Sequence, residues 1–143
     1  MEEKMDVKEF LMQYKLIDDS INAKLDEIKE LRSLAAKLSP SLSGESHSVG
    51  TFSDRVGRTA AKIADLETEV NERIDRLLET KAAITAMINS LDDILLQNLL
   101  ERRYILGFSW EKIAEDMNYT PRHITRLHNK AIARLEQLYS NAA

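Results

Sequence analysis

The chain has 143 residues, a formal net charge of −4 and no cysteine. Its length and its hydrophobic and charged content are typical of a soluble helical protein with one domain, or with a small module on an extended support. We therefore expect a cytoplasmic protein without a disulfide scaffold, a cysteine-based metal site, a membrane span or a signal peptide.

A seven-residue apolar repeat runs from about residue 6 to residue 38 and predicts one helix of roughly 50 Å. Only Lys24 interrupts the two core positions of this repeat. The two series are Val7, Tyr14, Ile21, Ile28 and Ala35, and Phe10, Ile17, Lys24, Leu31 and Leu38.

A stretch with six serines, two glycines and a proline, residues 39–53, predicts a loop. A second long helix is expected from near Ser53 or Asp54, because a seven-residue apolar series resumes there. That series consists of Val56, Ile63, Val70, Leu77, Ile84 and Leu91. Residues 1–90 are therefore predicted to form an antiparallel coiled-coil helical hairpin.

This hairpin alone would bury one narrow stripe on each helix, which is a small core for so much ordered backbone. We therefore expect a further partner surface, supplied by a homo-oligomer, with a dimer favoured. A dimer would also present two recognition helices to two DNA half-sites. The alternative is a monomer in which the apolar seam closes on the C-terminal part of the same chain.

The segment after the hairpin, LDDILLQNLLERRYIL, predicts a break near residues 89–91 and a new helix after it. Ser90 is a candidate cap, and acidic residues follow in the first turn, where the helix dipole favours them. The residues expected to cover the next module from behind are Ile94, Leu95, Leu99 and Leu100.

Residues 109–138 predict two helices joined by a tight turn, a pattern typical of a helix-turn-helix. Ser109 is expected to cap the first helix, and Asn118 to take the left-handed conformation at the turn. Thr120 would cap the second helix, with Pro121 in its first position. The residues expected in the shared core are Ile113, Ala114, Met117, Ile124, Leu127, Ala131, Leu135 and Leu138.

The opposite face of the second helix carries side chains of the types that read DNA grooves. Arginine can donate two hydrogen bonds to guanine, and asparagine can bond adenine in a similar way. The residues expected to contact bases are Arg122, Thr125, Arg126 and Asn129, and those expected to contact phosphates are Lys130, Arg134, Arg102, Arg103 and His123.

Charge is sorted along this part of the chain. From residue 119 to the end there are four basic residues and one acidic residue, a net of +3, whereas residues 91–118 hold three basic and six acidic residues, a net of −3. The basic helix therefore favours contact with nucleic acid. The alternative is an ordinary solvated helix face.

The stretch LLERRYILGFSWEKIAEDMNYTPRHITRLHNKAIARLEQL resembles region four, the promoter-binding region of bacterial sigma factors. The resemblance rests on a basic-aromatic helix end, a serine-initiated helix and a threonine-capped second helix. It implies an all-α fold in which a sigma-like helix-turn-helix, residues 91–143, follows the hairpin, with promoter contacts at Pro121, Arg122 and Arg126. Pro121 departs from the pattern, because arginine is common there, so the sigma target sequence does not carry over. The whole chain also resembles small phage and prophage proteins of Gram-positive bacteria.

These features predict a sequence-specific DNA-binding transcriptional regulator of phage or prophage origin, with double-stranded DNA as its partner and RNA polymerase as a further candidate partner. Two alternatives stay open: a DNA-recognition subunit of phage packaging machinery, and an interaction protein that holds RNA polymerase or a sigma factor without touching DNA. No enzyme, metal site or cofactor is expected, because nucleophile and phosphate-binding motifs are missing. His123 and His128 fall about 140° apart on a helix, too far around it to share a metal ion.

Overall fold

The computed structural model describes residues 6–38 and 49–141, and every regular element within these two ranges is helical. The helices are α1 (Val7–Leu38), α2 (Val49–Asn89), α3 (Ile94–Leu100), α4 (Trp110–Met117) and α5 (Pro121–Asn141), and a π-helical segment, Glu101–Ile105, continues α3. The predicted all-α class is confirmed for these residues. None of the helices described is both long and apolar enough to cross a membrane.

The chain divides into two compact units, which are described separately. One unit, here called the core unit, consists of residues 1–17 and 77–143. The other, called the hairpin unit, consists of residues 18–76. The core unit therefore contains the beginning of α1 and the end of α2 together with all of the C-terminal helices.

The core unit has one large apolar cluster to which α1, α2, α3, the π-helical segment and α5 all contribute. Each large aliphatic side chain that is fully buried stabilises the fold by about 1.5–3 kcal/mol relative to an exposed one. The buried members are Val7, Leu11, Ile84, Met87, Ile88, Leu91, Leu96, Leu100, Tyr104, Ala131 and Leu135.

A second cluster joins α3 to α4 and α5, and its buried members are Leu99, Ile113, Ala114 and Ile124. The small side chain of Ala114 on α4 lets a crossing helix approach closely. Since the neighbouring residues of α3 belong to the large cluster, α3 supplies side chains to both clusters. The second cluster holds α4 and the first turns of α5 in place.

The break after α2 lies where it was predicted, but its cap differs. Helix α2 ends at Asn89, and α3 begins with Asp93 as its N-cap, whose carboxylate accepts a hydrogen bond from the Leu95 N–H at 3.0 Å. The Ser90 hydroxyl instead donates to the Met87 carbonyl at the end of α2. The prediction of Ser90 as the cap of the new helix was therefore wrong.

The break also changes which residues of α3 are buried. Ile94, which was expected in the core, is 73% exposed, whereas Leu96, which was not singled out, is fully buried. The expected burial of Leu99 and Leu100 is confirmed. The cause is the non-helical turn before α3, which rotates the new helix away from the seven-residue register of α2.

In the hairpin unit the two long helices pack together in antiparallel directions. Lys24 lies 3.2 Å from the Glu69 carboxylate, and further along the pair Arg32 contacts Glu67. Lys24, the single interruption of the apolar repeat, therefore pairs with a carboxylate on the opposite helix. The buried residues of this unit are Ile21, Ile28, Leu66 and Val70.

The start of α2 differs from the prediction. The helix begins at Val49, so residues 49–53 are helical although they were assigned to the serine-rich loop. Residues 39–48 of that predicted loop lie outside the described part of the chain. Val56, the first member of the predicted series, is exposed rather than buried.

Candidate nucleic-acid interface

The turn between α4 and α5 has the local geometry that the sequence predicts. The Ser109 hydroxyl accepts a hydrogen bond from the Lys112 N–H at 3.2 Å and caps α4. Asn118 ends α4 in the left-handed conformation, with φ 58° and ψ 41°, which asparagine tolerates better than most residues. The Thr120 hydroxyl accepts from the His123 N–H at 3.1 Å, and α5 starts at Pro121. These predictions are confirmed.

The inner face of α5 anchors the helix in both apolar clusters. Ile124, Ala131 and Leu135 are fully buried, as predicted, and Leu127 is partly buried. Leu138 is 46% exposed, so its predicted burial was wrong. The last turns of α5 extend past the side chains that cover Leu135.

The buried stripe of α5 contains a residue that sequence reasoning missed. His128 is only 5% exposed, and its Nε2 atom lies 2.7 Å from the Tyr104 hydroxyl of the π-helical segment. The edge of its ring meets Trp110 of α4, with the centroids 4.8 Å apart. The sequence did indicate this burial. His128 follows Ile124 by four residues and precedes Ala131 by three, so the three residues share the buried face of the helix.

Burial changes the acid–base properties of this pair. The pKa of His128 is lowered, first by burial and then by the positive charge of Lys8 on α1. The pKa of Tyr104 is raised by burial. His128 is therefore held in its neutral form at neutral pH, with Tyr104 as a protonated hydrogen-bond partner.

The outer face of α5 is exposed to solvent. The residues predicted to contact bases, which are all exposed, are Arg122, Thr125, Arg126 and Asn129. The Thr125 hydroxyl donates to the Pro121 carbonyl within the helix, at 3.1 Å. Its polar group is thus already engaged, whereas the two arginines project from the first two turns of α5.

The basic residues around α5 fall into two classes. Arg122, Arg126 and Lys130 are exposed, and none of them has a carboxylate within 4.0 Å among residues 6–38 and 49–141. Arg134, in contrast, lies 3.6 Å from Asp93 and 3.9 Å from Asp92. The positive charge of Arg134 is therefore partly neutralised within the core unit.

The two arginines of the π-helical segment are also engaged inside the core unit. Arg102 lies 3.5 Å from Asp116, which also receives Lys112 at 3.4 Å. Arg103 donates to the Phe108 carbonyl at 3.0 Å and covers the Trp110 ring at 4.3 Å from its centroid. A phosphate would have to displace or share these partners.

His123, the last of the predicted phosphate contacts, is half-buried at the start of α5. Its ring lies 4.7 Å from that of Tyr119 in the turn, with an angle of 56° between the two planes. The backbone N–H of His123 is used by the Thr120 cap. Its side chain therefore borders the turn instead of standing free beside Arg122.

None of the three comparisons, with family models, curated proteins and solved structures, found a match for this chain. The resemblance to sigma factors and to phage proteins therefore stays a prediction. Within the described ranges, no group of three or more His, Asp or Glu side chains is placed to hold a metal ion.

The arrangement suits recognition of an anion with hydrogen-bond acceptors. Arg122, Arg126 and Lys130, which have no carboxylate partner among the described residues, and the exposed amide of Asn129 lie on α5, which two apolar clusters hold in place. The turn before α5 runs from the C-cap of α4, Asn118, to the N-cap of α5, Thr120. Rigid support of this kind lowers the entropic cost of placing arginine side chains against a partner. Of the acidic residues nearby, Asp116 pairs with Arg102 and Lys112, and Asp92 and Asp93 pair with Arg134.

Proposed function

We propose that this chain is a sequence-specific DNA-binding transcriptional regulator that places α5 in the major groove. The observation that carries the proposal is the row of exposed cations on the outer face of α5, Arg122, Arg126 and Lys130, which have no carboxylate partner among the described residues. An α-helix fits the major groove, and a recognition helix reads base edges mainly with its N-terminal residues. Arg122 and Arg126 lie in that N-terminal part.

The roles of the outer side chains follow from their types and positions. Arg122 and Arg126 would each bond a guanine edge, and Asn129 an adenine edge, whereas Thr125 would contact bases through its methyl group. Lys130 lies toward the flank of the helix, where the phosphates run, and its compact charge suits them.

We assign the paired arginines a secondary role. Arg134 contacts Asp93, which is also the N-cap of α3, so moving Arg134 to a phosphate would disturb that contact. Arg102 and Arg103 would similarly exchange partners inside the core unit for a phosphate. Phosphate contact would therefore depend more on Lys130 than on these three residues.

The proposal includes the finer expectations drawn from the sequence. The turn and the helices around it would act as a sigma-like helix-turn-helix, and the protein would bind as a dimer at two half-sites spaced by about one helical turn of DNA. Phage or prophage origin and a contact with RNA polymerase belong to the same proposal.

The deciding experiment is selection of bound duplexes from a random DNA pool at near-physiological salt. The wild type is compared with the double variant Arg122→Ala, Arg126→Ala and with a control double variant, Arg55→Ala, Arg76→Ala. The control removes the same charge from exposed positions of the hairpin unit. We expect one motif with the wild type and the control, and none with the α5 variant. If the wild type enriches no sequence, the proposal fails.

Single substitutions separate base contacts from phosphate contacts. Arg126→Ala should weaken binding to the selected duplex by about 1–3 kcal/mol and leave binding to unrelated duplexes nearly unchanged. Lys130→Ala should weaken binding to both and reduce the salt slope by about one. Equal weakening on every duplex by both variants would show that the two roles are assigned wrongly.

A further inference from the structure

The core unit contains a buried ionisable group that the proposed DNA contacts do not use. His128 is the only buried residue of a polar type within the described part of the chain. It lies on the inner face of α5, and every buried side-chain nitrogen and oxygen in the described ranges has a partner. Its position therefore serves the support of α5 and not direct contact with DNA.

His128 joins α5 to the two elements that precede it. Its Nε2 atom lies 2.7 Å from the Tyr104 hydroxyl on the π-helical segment, and its ring contacts Trp110 in the first turn of α4. One imidazole thus contacts three consecutive elements of the core unit. The regular geometry of the α-helix fixes Arg122 and Arg126 relative to His128. Contacts that hold this ring therefore also affect where the two arginines project.

The charged groups that face His128 are cations. Arg103 approaches from the π-helical segment and Lys8 from α1, and both disfavour a charge on the imidazole. The neutral groups around it are Tyr104, Trp110 of α4 and Asn129 of α5. No carboxylate in the described ranges lies within 4.0 Å of the ring. Protonation would place a third positive charge in this partly dry site.

We propose that His128 is a positioning residue, which holds α5 in its DNA-binding orientation while the imidazole is neutral and releases it on protonation. The DNA part of this inference rests on the proposed function. Neutral His128 can accept a hydrogen bond from the Tyr104 hydroxyl and pack against Trp110, whereas a charged ring gains more from water than from these neighbours.

The sign of the pH effect distinguishes this inference from simple electrostatics. An added positive charge near DNA strengthens binding, so electrostatics alone predicts tighter binding in acid. Release of α5 predicts weaker binding. Since the pKa of His128 is lowered by folding, the unfolded chain binds more protons below about pH 6.5, and the core unit loses stability as the pH falls through that window.

The first test needs no DNA. Trp110 is the only tryptophan of the chain, and its ring contacts His128, so its emission reports on this contact. Emission is followed between about pH 8 and about pH 5 for the wild type, His128→Gln and the matched control His123→Gln. Glutamine can still accept a hydrogen bond from the Tyr104 hydroxyl but does not titrate. We expect the emission to change with pH in the wild type and the control, because protonation ends the contact of the two rings, and to stay flat for His128→Gln. A wild-type profile in His128→Gln would overturn the inference.

A measurement on the unaltered protein guards against a variant that does not fold. The histidine ring signals are followed by NMR over the same pH range, and the backbone amides of α5 with them. We expect His128 to titrate below the ordinary range of a histidine, because burial lowers its pKa, and the α5 amides to shift with the midpoint of His128. If the amides of α5 stay unchanged while His128 titrates, protonation does not release the helix and the inference is wrong.

The second test measures affinity for the selected duplex across the same range. The wild type should bind about tenfold more weakly at the acid end than at the neutral end, whereas His128→Gln should lose little. An equal loss in both proteins, or tighter wild-type binding in acid, would refute the inference. If no variant binds any duplex at any pH, the proposed function fails, and the fluorescence and NMR results still decide the role of His128.

Discussion

The core unit and the hairpin unit use the same two long helices in different ways. In the core unit, fully buried side chains come from α1, α2, α3, α4 and α5 and pack in two clusters. In the hairpin unit, the buried residues each keep 4–6% exposure, and polar pairs such as Lys24 with Glu69 cross between the helices. The buried side chains of the hairpin unit lie between two helices, whereas those of the core unit are enclosed by side chains from five.

This difference indicates where the stability of the chain resides. Burial of large aliphatic side chains is the largest favourable contribution to folding, and exposed ion pairs contribute at most about 1 kcal/mol each. The support of α5 therefore depends on the start of α1 and the end of α2 more than on the parts of these helices in the hairpin unit. The following predictions test this comparison, beginning with the largest effect.

A fragment of residues 91–143 should not fold. It keeps α3, α4 and α5 but lacks the α1 and α2 members of the large cluster, which are Val7, Leu11, Ile84, Met87 and Ile88. Circular dichroism and Trp110 emission are expected to report a mostly unfolded chain. The control replaces residues 25–68 by a short glycine-rich turn, which keeps every member of that cluster, and it should fold. A cooperative unfolding transition of the fragment would contradict the comparison.

Matched leucine substitutions should differ between the units. Leu96→Ala removes a fully buried side chain of the core unit, and we expect the free energy of unfolding to fall by about 2–5 kcal/mol. Leu66→Ala in the hairpin unit should cost less, at or below about 2 kcal/mol, because water and neighbouring side chains can reach the vacated space. Urea unfolding measures both values. Equal losses would mean that the hairpin unit packs as tightly as the core unit.

The turn residue Asn118 should tolerate only one kind of change. Asn118→Ala forces a side chain with a Cβ but no local hydrogen bond into the left-handed region, at an expected cost of about 1–2 kcal/mol. Asn118→Gly should cost little, since glycine adopts this conformation freely. Thermal unfolding of the two variants, side by side, checks the prediction. A glycine variant as unstable as the alanine variant would show that the asparagine side chain itself is needed.

The smallest effect is expected at Lys24. Its side chain is 26% exposed and that of Glu69 is 49% exposed, so solvent screens most of their attraction. Lys24→Ala should change the free energy of unfolding by less than about 1 kcal/mol, and less at high salt than at low salt. Urea unfolding at two salt concentrations tests this. A loss as large as that of Leu96→Ala would place Lys24 among the main supports of the fold.

Much of the candidate interface could be predicted because it depends on local chemistry. Ser109, Asn118 and Thr120 satisfy backbone groups within three or four residues of themselves, so their types and spacing were sufficient. The exposure of Arg122 and Arg126 followed from helical periodicity, once the inner face of α5 was assigned.

The errors fall where distant elements meet. Ile94 is exposed because the turn before α3 ends the seven-residue register of α2. The N-cap of α3 is Asp93 and not Ser90. Arg134 forms an ion pair with Asp93, which precedes it by about forty residues. This pair depends on how the start of α3 packs against α5. Periodicity within one helix carries no information about such partners.

The amino-acid sequence by itself determined the helical class, the break near residue 90, the turn between α4 and α5 and the outward cations of α5, because each depends on contacts within a few residues. Only the tertiary structure decided which of the described basic residues pair with carboxylates, that the start of α1 and the end of α2 share a core with α5, and that His128 is buried against Tyr104. The physical reason is the same in each case, since burial and charge pairing are set by side chains that come together only when the chain has folded.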